Sequence, residues 1–329
     1  MATGPSLAIG LATFHRPDRL ATLLPRLVEQ LDGLGSDDGP VGDQRILVID
    51  NDPHGSARSV VEDAGDARIR YTVEPRPGIS SARNRILDEA ADSDILVLID
   101  DDETPHSGWL SALLATRSAH GADAISGPVE PRFEGGEDPW IIASGSYLGQ
   151  VGAGRPTGTV LQRAATNNLL LDMGMVRDLG LRFDPSLGLT GGEDSYFTGQ
   201  LTAAGGRIVW CAEATVTDLV PADRNTRRYN LWRRCAQSAS HVRVEQMLTG
   251  SRSARVRGWL RWVVIGLGQI VKGAALAARG AVLHDLRSRA VGESRIASGS
   301  GVLLGCLGIR PAPYKRRPAT TSSSARRRR

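Results

Sequence analysis

The sequence predicts an α/β protein built on a doubly wound, Rossmann-like, mainly parallel sheet, with a basic helical extension at its C-terminal side. Three observations carry this. The first half alternates short apolar runs with longer amphipathic stretches. One of those runs, "DILVLIDDDETP" (94–105), passes from five apolar residues straight into four acids. The charge is also divided: residues 1–223 hold 17 Lys+Arg against 33 Asp+Glu, and residues 224–329 hold 23 against 3.

Taken in order, the β-α units are "LAIGLAT" (7–13) with 17–34, "RILVID" (45–50) with 55–65, "RIRYTV" (68–73) with 79–92, and "ILVLID" (95–100) with 107–119. Parallel strands with crossover helices satisfy this pattern most simply. Ligands of such sheets bind beyond the carboxyl ends of the strands, where Thr13, Asp50 and the acid cluster all fall. The stretch 131–165, rich in Gly, Pro and Trp, is expected as a loop region over that crevice. "ATNNLLLD" (165–172) and "RIVWCAEATV" (207–216) read as strands, with a short helix near 174–180 and another opening at Glu193, where two acids suit the helix dipole.

At 329 residues, 41% hydrophobic and 23% charged, the chain is ordinary for a soluble globular protein. Cys211, Cys235 and Cys306 are dispersed, which excludes a disulfide framework or zinc site and fits a reducing cytoplasm. "MATGPS" leads directly into a strand, without the pattern of a secretion signal. The expected organisation is a catalytic domain over 1–223, a basic helical extension over 224–312 and a disordered basic tail over 313–329. Within the extension, the helix over 255–280 is too interrupted by charge for a clear membrane span. It reads as interfacial, with Trp259 and Trp262 at headgroup level and Arg255, Arg257 and Arg261 toward anionic lipid; packing on the main domain is the alternative. Nucleic acid is not an expected partner, because no recognised module and few stacking aromatics are present.

Four adjacent carboxylates at a strand end repel one another unless a cation is expected. If the strand geometry persists, Asp100 and Asp102 share a side about 6.6 Å apart and Asp101 points away. That makes Asp100 and Asp102 the pair for Mg2+ or Mn2+, with diphosphate oxygens completing the shell. "GGEDSYF" offers Glu193 and Asp194 at a helix start, where an ionised carboxylate can serve as general base. "RPGISSARN" presents amide N–H groups and Arg83 to a diphosphate. Neither G-x-x-x-x-G-K-[ST] nor G-x-G-x-x-G occurs.

Together "GLATFHRPDRLATLL", "ILVIDND", "RPGISSARNRIL", "LVLIDDDETPHSGWL", "GGEDSYF" and "RNTRRYNLWRR", spanning about residues 6–240, resemble the family 2 glycosyltransferases of the GT-A fold. The resemblance is closest to bacterial members extending exopolysaccharide or cell-envelope glycans. It implies that Thr13, Phe14 and Arg16 border the nucleotide, that Asp50 or Asp52 contacts base or ribose, and that Arg83 lies near the donor phosphates. It further implies that Asp100 and Asp102 are the D-x-D pair, with Asp101 beside them, and that Asp194 is the base with Glu193 next to it. The implied reaction is an inverting displacement from a nucleotide-sugar onto a glycan or lipid-linked acceptor. "IDND" departs from the two adjacent acids and glycine of many members. A nucleotidyltransferase, or a non-catalytic membrane-associated glycan-binding scaffold, are the alternatives.

Overall fold

The computed structural model describes residues 4–35, 42–152, 154–309 and 311; the tail expected over 313–329 lies outside them. The predicted β-α order holds through the first half: β1 (Leu7–Thr13), α1 (Pro17–Asp32), β2 (Gln44–Asp50), α2 (Arg58–Ala64), β3 (Ile69–Val73), α3 (Ile79–Glu89) and β4 (Ile95–Ile99). Next come β5 (Glu103–Pro105), α4 (Trp109–His120), β6 (Ala124–Ser126), β7 (Val129–Phe133), α5 (Pro139–Ser144), α6 (Leu148–Val151), β8 (Val160–Leu161), β9 (Asn168–Asp172) and α7 (Met173–Asp178). The chain continues with α8 (Glu193–Ala203), β10 (Ile208–Trp210), β11 (Val216–Val220), α9 (Arg227–Leu248), α10 (Arg252–Val282) and α11 (Leu286–Cys306).

Eight strands form the central sheet in the order β3-β2-β1-β4-β9-β6-β10-β8. Its β3-β2-β1-β4 half is parallel, as expected, while β9 runs antiparallel between β4 and β6, and β8 antiparallel to β10. Every residue of β4 is buried, because apolar clusters cover both faces: Leu20, Leu24, Trp109 and Leu113 on one, Ile86, Leu87, Phe183 and Phe197 on the other. A strand enclosed on both sides has no polar face to present, so its sequence shows no alternation.

Two expectations are corrected here. "RIVWCAEATV" is not one strand. It divides into β10, on the central sheet, and β11, which joins β5 and β7 in a separate three-stranded sheet. The partner β6–β7 segment bends at the same place, where a Cβ on Gly127 would lie 2.1 Å from the Ala214 carbonyl oxygen. The stretch 131–165 is also more than a loop over the crevice. It carries β7, α5, α6 and β8, and Trp140 of α5 is buried with its indole N–H donated to Glu293 of α11 at 2.8 Å. An enclosed Trp finds a partner for its N–H.

The basic third is helical. α9 packs on α8 and α11, while α10 folds back along α11 as an antiparallel hairpin. Small residues allow unusually close approach there: a Cβ on Gly273 would fall 2.7 Å from the Gly292 carbonyl oxygen, and one on Gly299 2.5 Å from that of Gly266. By length and composition α10 could cross a bilayer, with an 18-residue window of mean hydropathy 1.4 of which 11% is buried.

Candidate active site

The crevice is assembled from the ends of β1, β2 and β4 and from the loop entering α8. At the end of β2, Asp50 is wholly buried and fully engaged. Its Oδ1 accepts from the Asp52 N–H at 2.9 Å, and Oδ2 accepts from the Ala57 N–H and the Tyr71 hydroxyl, each at 2.8 Å. Asp50 therefore shapes the 51–57 loop from within. Asp52, nearer its mouth, accepts from the His54 N–H and lies 3.5 Å from His15 Nδ1. Burial alone would raise Asp52, yet the His54 N–H, the Ser56 hydroxyl and the imidazoles of His15 and His54 hold it below the usual carboxylate range.

Asn51 explains the "IDND" departure. Its amide nitrogen donates to the carbonyls of Glu74 and Arg76 at 2.8 and 2.7 Å, and its oxygen accepts from the Gly78 N–H at 3.0 Å. A carboxylate has no N–H to donate to two carbonyls. Asn51 thus fastens the segment that leads into α3 and Arg83.

At the end of β4 the strand stops at Ile99, so the alternation expected for Asp100 to Asp102 ends with it. Asp101 does not point away from Asp102. Both accept from Arg16 Nη1, at 2.7 and 2.8 Å, and Asp101 also accepts from the Thr13 hydroxyl at 2.8 Å. Phe14, between these two residues, meets His15 edge to face. Asp100 instead faces α3, 3.3 Å from Arg83 Nη2. The turn is closed by Glu103 of β5, which accepts from the Asp100 N–H at 3.1 Å and from the Asn167 amide at 2.6 Å.

The second sheet, which the sequence did not announce, adds Asp218 from the middle of β11, in register with Glu103. Burial pushes Asp218 up to about 6, with the charge of Asp102 adding and Arg233, Arg224 and Arg19 opposing. Burial likewise pushes Asp100 up to about 7, with Arg83 opposing and Asp102, Asp194 and Asp101 adding. Arg224, the first residue of the basic third, approaches Asp102 to 4.0 Å.

Arg83 links the two halves of the site. Its guanidinium, 7% exposed, donates from Nη1 to Glu193 at 2.9 Å and to Asp194 at 2.6 Å, while Nη2 faces Asp100. Burial would weaken its charge, but Asp194, Asp100 and Glu193 hold the proton more firmly than in a free arginine. The two acids at the start of α8 then separate. Burial, reinforced by the charge of Asp194, pushes Glu193 up to about 8. Burial would raise Asp194 as well, but the charge of Arg83 together with hydrogen bonds from Glu193 and Thr166 outweighs it and holds Asp194 below the usual carboxylate range. Its side chain is 25% exposed against 7% for Glu193. Asp194 is thus the ionised member that faces the crevice.

A consequence is measurable. Folded Glu193 keeps its proton to about pH 8, whereas an unfolded glutamate releases it near 4.5. Between those values the folded state binds more protons, so stability falls as pH rises through this window. Melting temperature should drop by roughly 5 °C from pH 5 to 9, and Glu193→Gln should flatten the profile. Equal slopes in the two proteins would remove Glu193 as the cause.

The loop before α8 is held by the basic third. Ser240 Oγ of α9 donates to the Thr190 carbonyl at 2.8 Å, and Arg243 donates to the Ser186 carbonyl and hydroxyl and to the Thr190 hydroxyl. Gly191 and Gly192 follow at φ of 80° and 94°, a backbone open to glycine, and a Cβ on Gly192 would stand 3.0 Å from Val244. Ser240 and Arg243, like Asp218, escaped sequence reasoning; none belongs to a local motif.

Comparison with known proteins gives the chain's family and fold. Residues 8–166 match the model of glycosyl transferase family 2. The chain is 34% identical over 248 residues to the succinoglycan biosynthesis protein ExoM of Rhizobium meliloti (strain 1021), covering 72% of this chain and 74% of that one. This chain belongs to glycosyl transferase family 2. Solved structures place this glycosyltransferase in the GT-A fold. S. aureus TarS 1-349 in complex with UDP-GlcNAc aligns with a TM-score of 0.50 at 13% identity, over 90% of this chain and 91% of that one. GalNAc-T7 with UDP, GalNAc and Mn2+ aligns with a TM-score of 0.51 at 13% identity, over 78% of this chain and 54%, about half, of that longer one.

Proposed function

We propose that this glycosyltransferase moves a hexosyl group, with inversion, from a nucleotide-sugar to a hydroxyl of a glycan or lipid-linked glycan during polysaccharide assembly. Arg83 is the observation that carries the reading, because one buried cation joins Asp100 of the donor end to Asp194 of the acceptor end. In a single displacement the acceptor oxygen bonds to the anomeric carbon as the bond to the diphosphate breaks, and the hydroxyl proton passes to Asp194. A carboxylate held low by Arg83 is a weak base, suited to taking the proton late, as that oxygen becomes acidic. Thr13, Phe14, Arg16 and Asp52 would border the nucleotide, around the loop that Asp50 supports.

The residues fit a divalent metal. Asp100 and Asp218 are raised beside Asp102, a crowding that a cation relieves. Among the described residues no three His, Cys, Asp or Glu side chains converge on one point. An economy in which one or two carboxylates share Mn2+ or Mg2+ with phosphate oxygens does not need a third protein ligand. Asp100 and Asp102 would hold it, and when bound it supplies positive charge to the departing diphosphate.

The relatives favour a UDP-sugar and a polysaccharide pathway, since GalNAc-T7 and TarS were solved with UDP or UDP-GlcNAc and ExoM serves succinoglycan biosynthesis. The site would face the cytoplasm with the α10–α11 hairpin lying on an anionic membrane surface. Val256, Leu260, Val264, Leu267 and Val271 form one exposed apolar stripe of α10, beside Arg255, Arg257 and Arg261.

Thermal shift with UDP-, GDP- and dTDP-sugars, with and without Mn2+, tests the reading. One nucleotide class should stabilise the protein by about 2.7 kcal/mol at 100 times its dissociation constant. Asp102→Ala should abolish the metal-dependent part. No response to any donor from a folded protein would overturn the assignment of the crevice.

A further inference from the structure

Asp102, which would share the metal with Asp100, is already held by a cation of the chain itself. Through one nitrogen, Nη1, Arg16 donates to Asp101 at 2.7 Å and to Asp102 at 2.8 Å. The other oxygen of Asp101 accepts from the Thr13 hydroxyl. Both carboxylates are nearly enclosed, whereas the Arg16 side chain is 33% exposed. Burial would weaken its charge, but Asp101 and Asp102 hold the proton more firmly than in a free arginine. Arg83, by contrast, is enclosed and engaged by three acids.

Two features make Arg16 a partner that can leave. Its backbone is fixed while its side chain is not: the Arg16 carbonyl accepts from the Leu20 N–H at 3.2 Å at the start of α1, and Leu20, Leu23, Leu24 and Leu27 seat that helix in the core. Its grip is also incomplete, since Nη1 carries both bonds and the guanidinium forms no two-nitrogen fork with either acid. A diphosphate offers that fork. Two cations at one carboxylate oxygen repel each other, so a divalent ion and Arg16 exclude one another at Asp102.

We propose that Arg16 is a built-in counterion that competes with the metal for Asp102 and passes to the diphosphate of the donor, so that nucleotide and metal bind cooperatively. This rests on the proposed placement of donor and metal in the crevice. Mn2+ binding to the nucleotide-free, full-length protein, followed by the electron paramagnetic resonance signal of the free ion, reads the competition without turnover. Arg16→Gln should tighten Mn2+ by ~10-fold or more, a gain that damage to the fold would not produce. Arg224→Gln removes a charge that stands at 4.0 Å without a bond to Asp102, and should give a much smaller gain. In wild type, the nucleoside diphosphate (UDP, GDP or dTDP) of the class that gives the thermal shift should tighten Mn2+, and in Arg16→Gln that coupling should shrink by ~5-fold or more. Arg16→Lys, shorter and more strongly hydrated, should shift Mn2+ affinity in the same direction by less and keeps the comparison open if Arg16→Gln folds poorly.

Mn2+ affinity in Arg16→Gln equal to or weaker than in wild type would overturn the proposal, because Arg16 would then be a fixed part of the site. An equal gain from Arg224→Gln would overturn it too, by reducing the effect to the general field of nearby arginines. In both cases a donor thermal shift retained by wild type leaves the donor reading in place. If neither Mn2+ nor any of the three nucleotides binds the folded wild-type protein or its variants, the donor reading and this one fall together.

Discussion

Asp194→Asn should retain donor binding and lose sugar transfer, with kcat falling by ~10²–10⁴. The substitution keeps the shape of the side chain and leaves an oxygen to accept from Arg83, so the fold and the donor end stay in place. What disappears is the acceptor of the hydroxyl proton. Glu193→Gln should cost much less, because Glu193 is buried and already protonated at neutral pH. Transfer to an acceptor, measured beside the donor-induced thermal shift, separates the two cases. A kcat within a few-fold of wild type would mean that another group takes the proton, and loss of the donor shift would mean that Asp194 serves the nucleotide instead.

Arg83→Met should be the most destabilising single change at the site, at about 3–5 kcal/mol, because it leaves buried acids without their cation. Glu193, Asp194 and Asp100 all face this guanidinium, and no other cation lies within salt-bridge distance of Glu193 or Asp194 among the described residues. Urea unfolding reads the loss directly. Arg83→Lys should recover only part of it, since one ammonium cannot reproduce a fork that addresses Asp100 from one nitrogen and Asp194 from the other. A cost below ~1 kcal/mol for Arg83→Met would show that the acids neutralise themselves by taking up protons, and that the arginine does not organise the site.

Much of this site could be read along the chain, and the rest could not, for reasons visible in particular residues. Thr13, Asp50 and Asp100 were legible because each ends, or directly follows, an apolar run, and a parallel sheet delivers its strand ends to one edge. The pairing of Asp101 with Asp102 on Arg16 was not, because alternation applies only while the strand lasts, and β4 ends at Ile99. Asp50 and Asp52 look equivalent in "IDND", yet one is consumed by Ala57 and Tyr71 and the other sits beside His15. That difference lies in how the loop folds back.

The sequence by itself determined the fold class, the edge of the sheet where Thr13, Asp50 and the acid cluster gather, the "GGED" acids and the contrast between an acidic body and a basic third. These are local properties, set by apolar runs, glycine and charge over a few residues. Only the tertiary structure decided that Arg83 spans both halves of the crevice, that Asp218 joins the acids, that Trp140 is enclosed, and that Ser240 and Arg243 hold the loop before α8. Those contacts join positions about 50 to 150 residues apart. A buried charge or N–H takes whichever partner the packing brings within hydrogen-bond reach, and that choice belongs to the folded chain as a whole.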